Sequence, residues 1–140
     1  MNLQRFAKTV VRVLLSGFMI FAGIGHFQNT ESFLAQVPPF FPAREFIVYA
    51  SGVVEIALGL GVLLISRYRK EIGLALAGFY LLIFPGNISQ FLTQTSAFGL
   101  DTDFSRGVRL LFQPILILCA LWCTDALKKY RPKPKRATKN

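Results

Sequence analysis

Four long apolar segments follow one another along the chain, and short polar or proline-rich stretches separate them. They cover approximately residues 10–27, 46–65, 72–92 and 106–127. Each is close to the ~20 residues that a helix needs to cross the hydrocarbon core of a bilayer. Because a helix satisfies its own backbone hydrogen bonds, the pattern predicts an all-α fold, an integral membrane four-helix bundle.

The connection between the first two segments is unusually apolar. Asn29 or Thr30 can cap a short helix through Phe33, Leu34 and Val37. Three prolines then exclude regular helix: Pro38, Pro39 and Pro42. Phe40 and Phe41 lie between these prolines. They suit an anchor at the membrane interface, or alternatively a lid over the mouth of the bundle, and the anchor is the favoured interpretation.

A proline also lies inside the third segment, at Pro85. Residues 72–84 alone are too short to span a bilayer, whereas residues 72–92 are long enough. We therefore expect Pro85 to kink this helix rather than to end it.

Composition and charge support a membrane protein and predict its orientation. Of the 140 residues 53% are apolar and only 16% are charged, which is low for a water-soluble domain. The net charge of +9 is concentrated near residues 5–12, residues 67–70 and residues 128–139. The positive-inside rule places these groups, and therefore both termini, in the cytoplasm. Residues 1–127 would form one transmembrane domain, and residues 128–140 a basic cytoplasmic tail that contacts anionic lipid rather than nucleic acid.

The second segment carries a carboxylate, Glu55, about 14 Å from its Phe46 end and therefore near the bilayer midplane. Such a group is expensive in hydrocarbon, so it must be paired, protonated or used. Gly52 and Gly59 share its helix face and predict close approach of a neighbouring helix. The predicted topology brings five polar residues into the outer half of the bundle: His26, Glu55, Asn87, Arg109 and Gln113.

These five residues are the candidate ligand-binding site. We expect Glu55 to contact Gln113 or Arg109 across the bundle, with His26 or Asn87 completing the network. Two interpretations remain open at this point: a structural ion pair or hydrogen bond, and a ligand or proton site.

Other chemistries have weak support in the sequence. The chain has one histidine and no acidic cluster with ligand spacing, so no metal site is predicted. Cys119 and Cys123 are four residues apart and do not form the C-x-x-C pattern of a thiol redox site.

From Gly23 to Asn87 the chain resembles the DoxX-like family of small four-helix membrane proteins. The matching pieces, in order, are Gly25-His26-Phe27 with Phe33, Val37-Pro38-Pro39 with Pro42, Ser51-Gly52-Val53-Val54-Glu55 with Gly59, and Phe84-Pro85-Gly86-Asn87. The resemblance implies a multi-pass protein of the bacterial inner (cytoplasmic) membrane. Some members are linked to thiosulfate or quinone-coupled redox chemistry, and relatives to disulfide or cofactor maturation. This chain lacks the cysteine pair that a dithiol relay needs.

Two ligand-binding hypotheses follow, and a purely structural scaffold is the third interpretation. The first is an accessory or binding protein, not an enzyme, whose outer-half pocket holds a small amphipathic ligand such as a quinone or a lipid, or a helix of a partner membrane protein. The alternative is a membrane subunit of a quinone-linked oxidoreductase in which Glu55 and His26 carry protons. In both, the candidate cofactor is a quinone.

Overall fold

The computed structural model describes residues 2–99 and 101–128, and every regular element in this part of the chain is a helix. The elements are α1 (Leu3–Gln28), α2 (Thr30–Leu34), α3 (Arg44–Leu64), α4 (Arg69–Leu92) and α5 (Asp103–Cys123). The four long helices are each long and apolar enough to cross a membrane. The prediction of an all-α protein with four such helices is confirmed. The predicted basic tail lies outside the described residues, apart from Lys128.

The helix boundaries differ from the predicted ones where polar residues cap a helix. Helix α1 begins at Leu3 rather than near residue 10, and the Asn2 side chain accepts a hydrogen bond from the Gln4 backbone N–H. Helix α5 begins with a capping box between Thr102 and Ser105 and ends at Cys123, before the predicted residue 127. A hydropathy average along the sequence does not detect these caps, because the capping residues are polar.

The third apolar segment is one helix across its proline. Helix α4 runs from Arg69 to Leu92 with Pro85 in its interior, so the prediction that Pro85 does not end the helix is confirmed. The predicted short helix after Asn29 is also present, as α2, but it ends at Leu34, before the predicted Val37.

The long helices pack as two pairs, α1 with α3 and α4 with α5. Contacts of α1 with α5 and of α3 with α4 close the ring of four. At one end Lys8 of α1 and Lys128 both bind the Asp125 carboxylate. Lys70, at the start of α4, donates to the Lys128 carbonyl oxygen there. We call this the basic end.

The opposite end carries α2 and the loop between α4 and α5, and we call it the aromatic end. His26 at the end of α1 stacks on Phe33 of α2, and Phe33 meets Phe98 of the loop edge to face. The apolar core lies between the four long helices and consists of Leu15, Met19, Val62, Leu76, Tyr80, Ala120 and Cys123.

The outer surface of the long helices carries many exposed apolar side chains, among them Leu82 of α4 and Leu111 and Leu118 of α5. A water-soluble monomer rarely exposes so much contiguous apolar surface. The surface therefore matches a bundle whose outside faces hydrocarbon.

Candidate functional site

The site is built on a close approach of α1 and α3. A Cβ atom added at Gly52 would lie 2.8 Å from the His26 Cβ atom and 2.9 Å from the Gly23 carbonyl oxygen. One added at Gly59 would lie 3.1 Å from the Ser16 carbonyl oxygen. The prediction that Gly52 and Gly59 allow a neighbouring helix to come close is confirmed, and that helix is α1.

Glu55 lies between these two glycines and its side chain is buried, with 6% of the residue exposed. Its Oε2 atom is 3.4 Å from His26 Nδ1. The same nitrogen is 2.9 Å from the Ala22 carbonyl oxygen. Because a carbonyl oxygen only accepts, this contact assigns a proton to His26 Nδ1. Glu55 Oε2 itself has no hydrogen-bond partner among the described residues.

Two further polar atoms in the same interior lack partners. The hydroxyl groups of Tyr80 on α4 and of Ser16 on α1 are buried and make no hydrogen bond to the described residues. Tyr80 is 2% exposed and lies within electrostatic range of Glu55. Since nearly all buried polar groups in proteins are hydrogen-bonded, a buried carboxyl oxygen and a buried phenol that make no hydrogen bond to the described residues mark this interior as the candidate site.

Sequence reasoning missed Tyr80 and Ser16. Tyr80 lies seven residues before Asn87 and thus on the same face of α4. Ser16 lies seven residues before Gly23, on the α1 face that packs against α3. The seven-residue spacing of Tyr80 from Asn87, and of Ser16 from Gly23, was the sequence signal that could have identified Tyr80 and Ser16.

Asn87 and Gln113 form a second polar contact, between α4 and α5. Asn87 Nδ2 donates to Gln113 Oε1 at 2.6 Å, and Gln113 Nε2 donates to the Tyr80 carbonyl oxygen at 2.7 Å. Both side chains are buried. Gln113 therefore holds the backbone of α4 just before Pro85, where the helix is perturbed by the proline.

The expected contact of Glu55 with Gln113 or Arg109 is wrong for the described residues. The hydrogen bonds of the Gln113 side chain go to α4 instead. The Arg109 guanidinium lies over the Phe98 ring, 4.7 Å from its centroid. A loop residue thus meets Arg109 at the aromatic end. Of the residues expected to complete the network, His26 is the one beside Glu55.

Together His26, Phe33, Phe98 and Arg109 form an aromatic cover over this half of the bundle. The ring centroids of His26 and Phe33 are 3.7 Å apart, and those of Phe33 and Phe98 are 4.8 Å apart. Phe40 is 78% exposed and Phe41 is 45% exposed, and the lid that these two residues would form as an alternative to the anchor stays a prediction. The anchoring role of Phe40 and Phe41 stays a prediction.

Arg44 fixes the segment that carries Phe33. Its Nη2 atom donates to the carbonyl oxygens of Leu34, at 2.5 Å, and Val37, at 2.8 Å. A Cβ atom at Gly86 of α4 would lie 2.7 Å from the Gln36 carbonyl oxygen. The segment after α2 is therefore held both at the start of α3 and beside the α4 proline.

The fold and the site define a four-helix protein with membrane-length helices and a polar interior near its aromatic end. A family described as a domain of unknown function, DUF8561, matches residues 15–124, and the chain belongs to this family. The match includes all five candidate residues. Searches of curated proteins and of solved structures give no match. The resemblance to DoxX-like proteins stays a prediction.

Proposed function

We propose that the protein is a multi-pass protein of the bacterial inner membrane, with both termini and the loop between α3 and α4 in the cytoplasm. Four helices of spanning length and an exposed apolar surface support insertion. The clustering of Lys8, Lys70 and Lys128 at one end supports the orientation. The resemblance to DoxX-like proteins supports the choice of membrane.

The orientation predicts the behaviour of reporter fusions. A reporter joined after Gln36 or Ala97, at the aromatic end, should be active as a periplasmic protein. A reporter joined after Ser66 or Asn140 should be active as a cytoplasmic one. The measurement uses two reporters at each position, one that is active only in the periplasm and one that is active only in the cytoplasm. A periplasmic signal at Asn140 would contradict the four-span topology.

We further propose that the aromatic half binds a small amphipathic ligand with a hydrogen-bonding head, of the quinone or lipid kind. The observation that carries this proposal is the pair of buried atoms that make no hydrogen bond to the described residues, Glu55 Oε2 on α3 and the Tyr80 hydroxyl on α4. A bound carbonyl or hydroxyl group would give the Tyr80 hydroxyl an acceptor and Glu55 a hydrogen-bonded neighbour. Burying these atoms without a ligand costs about 1–3 kcal/mol each.

The other candidate residues would shape this site rather than all touch the ligand. Gln113 holds the Tyr80 backbone, and Asn87 holds Gln113. Arg109 supports Phe98 of the aromatic cover. Removal of the Gln113 side chain would shift Tyr80, and removal of the Arg109 side chain would open the cover. Gln113 and Arg109 therefore belong to the site as residues that position it.

Tyr80→Phe tests the proposal sharply. The hydroxyl makes no hydrogen bond to the described residues, so its removal should not lower the melting temperature of the ligand-free protein in detergent. Retention of the ligand should fall by about tenfold, the effect of one hydrogen bond of ~1.4 kcal/mol. The measurement is mass spectrometry of the quinones and lipids that co-purify with the protein.

Tyr49→Phe is the matched control, because Tyr49 lies on α3 but is exposed and stacks on Phe27. It should retain the ligand like the parent. Equal amounts of the same molecule in the parent and in Tyr80→Phe would contradict the proposal. So would a parent that carries only bulk membrane lipid.

One observation favours the second candidate, a membrane subunit of a quinone-linked oxidoreductase. His26 and Glu55 lie side by side, an arrangement that can accept protons. Oxidation of a quinol releases two protons and two electrons, and the electrons would pass to an acceptor on a partner subunit. Quinone recovered together with such a subunit would favour this candidate over a binding role alone.

A further inference from the structure

A cavity of about 270 Å³ opens at the basic end, at the opposite end of the bundle from the aromatic cover. The α3–α4 connection and the start of α4 line one side with Ser66, Arg67, Arg69 and Lys70. Thr124 and Asp125, which follow α5, line the other side. The cavity thus lies where the ends of two membrane-length helices meet.

The charge around this cavity is positive. Asp125 is already bound by Lys8 and Lys128, so its charge is compensated from outside the cavity. Glu71 is the other acid in the lining. The basic side chains in the lining, those of Arg67, Arg69 and Lys70, outnumber this acid. Arg12 of α1 and Asp125 both lie within electrostatic range of Arg69.

One donor in the lining has no partner. The Nε atom of Arg69 is buried and makes no hydrogen bond to the described residues. A buried guanidinium N–H without an acceptor is costly, and phosphate oxygens match its geometry. The N-cap residue of α4, Tyr68, gives the first helical turn no side-chain hydrogen bond. The positive end of the α4 dipole therefore adds to the attraction for an anion.

The cavity wall is rigidly placed. A Cβ atom added at Gly73 would lie 2.6 Å from the Thr124 Cβ atom, so α4 and the end of α5 are in close contact there. Arg67 is set over the Tyr68 ring, 5.3 Å from its centroid. The basic side chains are thus carried by a segment that packs closely against the end of α5.

We propose that this cavity binds the phosphate group of an anionic molecule, independently of the ligand at the aromatic end. The phosphate belongs either to the headgroup of an anionic phospholipid or to a soluble phosphate compound. Arg69 binds it through its guanidinium, with Arg67 and the α4 N-terminus completing the site. The position at the end of membrane-length helices is the depth at which lipid phosphates lie.

Lipid binding to the full-length protein in detergent tests the proposal by native mass spectrometry. The probes are phosphatidylglycerol and, as a zwitterionic comparison, phosphatidylcholine. We expect the parent to bind phosphatidylglycerol about tenfold more tightly, and Arg69→Gln to lose most of this preference. Arg5→Gln is the matched control: it removes the same charge from an exposed position at the same end and should keep the preference.

A competition arm identifies the source of the phosphate. If added inorganic phosphate displaces phosphatidylglycerol from the parent but not from Arg69→Gln, the site takes soluble phosphates as well. If it has no effect, the headgroup is the ligand. Arg67→Gln, at an exposed position, replaces Arg69→Gln if the latter lowers the melting temperature without lipid. Equal binding of the two lipids by the parent together with no Arg69-dependent binding of inorganic phosphate, or an equal loss in Arg5→Gln, would overturn the proposal.

Discussion

Gly23→Ala should destabilise the protein by about 1–3 kcal/mol, the usual cost of forcing an extra methyl group into a packed interior. The new Cβ atom would lie 2.6 Å from Ile56 Cγ1, 2.8 Å from the Gly52 carbonyl oxygen and 3.1 Å from the Ile56 backbone nitrogen. Two of these atoms belong to the backbone of α3 and cannot rotate away. The helices must therefore separate, and the His26–Glu55 contact would loosen with them.

Two other glycines provide matched controls for this prediction. A Cβ atom at Gly17 of α1 or Gly78 of α4 would meet nothing within 4 Å. Gly17→Ala and Gly78→Ala should be neutral or stabilising, because alanine favours a helix by about 1 kcal/mol over glycine. Thermal unfolding in detergent measures all three variants. If Gly23→Ala melts like these controls, the close packing of α1 on α3 is wrong.

The fold could be predicted from the sequence because the bilayer-length periodicity of apolar and polar stretches is a strong signal. It gave the four long helices and the continuation of α4 through Pro85, whereas the short α2 was predicted from the capping residues Asn29 or Thr30. It misplaced the start of α1 and the end of α5. The start of α1 is set by the Asn2 side-chain cap, which an apolarity pattern does not contain.

The residues of the site were easier to predict than their partners. A polar side chain inside an apolar run is conspicuous, and four of the five candidates are buried, with Arg109 partly buried. Which of them meet depends on helix rotation and on the loop that covers the bundle. Phe98 is a loop residue with positive φ, and nothing in the sequence indicated that it would meet Arg109. Tyr80 was missed because a tyrosine in an apolar helix resembles ordinary core packing.

The link between α4 and α5 should depend strongly on Gln113. Gln113→Leu keeps the approximate volume but leaves Asn87 Nδ2 without its acceptor and the Tyr80 carbonyl oxygen without its side-chain donor. Hydrogen bonds between membrane helices average only about 0.6 kcal/mol in coupling energy, so one lost bond would be a small change. Here a buried donor is left unsatisfied as well, at about 1–3 kcal/mol. We expect a total loss of about 3 kcal/mol of stability.

The double variant separates an unsatisfied donor from a packing fault. Asn87→Leu combined with Gln113→Leu removes the stranded amide, so it should recover much of the stability that Gln113→Leu alone loses. Gln4→Leu, at an exposed position of α1, controls for a general effect of replacing glutamine by leucine and should melt like the parent. Unfolding in detergent gives the free energies of the cycle. Strictly additive losses in the double variant would mean that Asn87 and Gln113 are not coupled, and that Gln113 does not hold the Tyr80 side of the site in place.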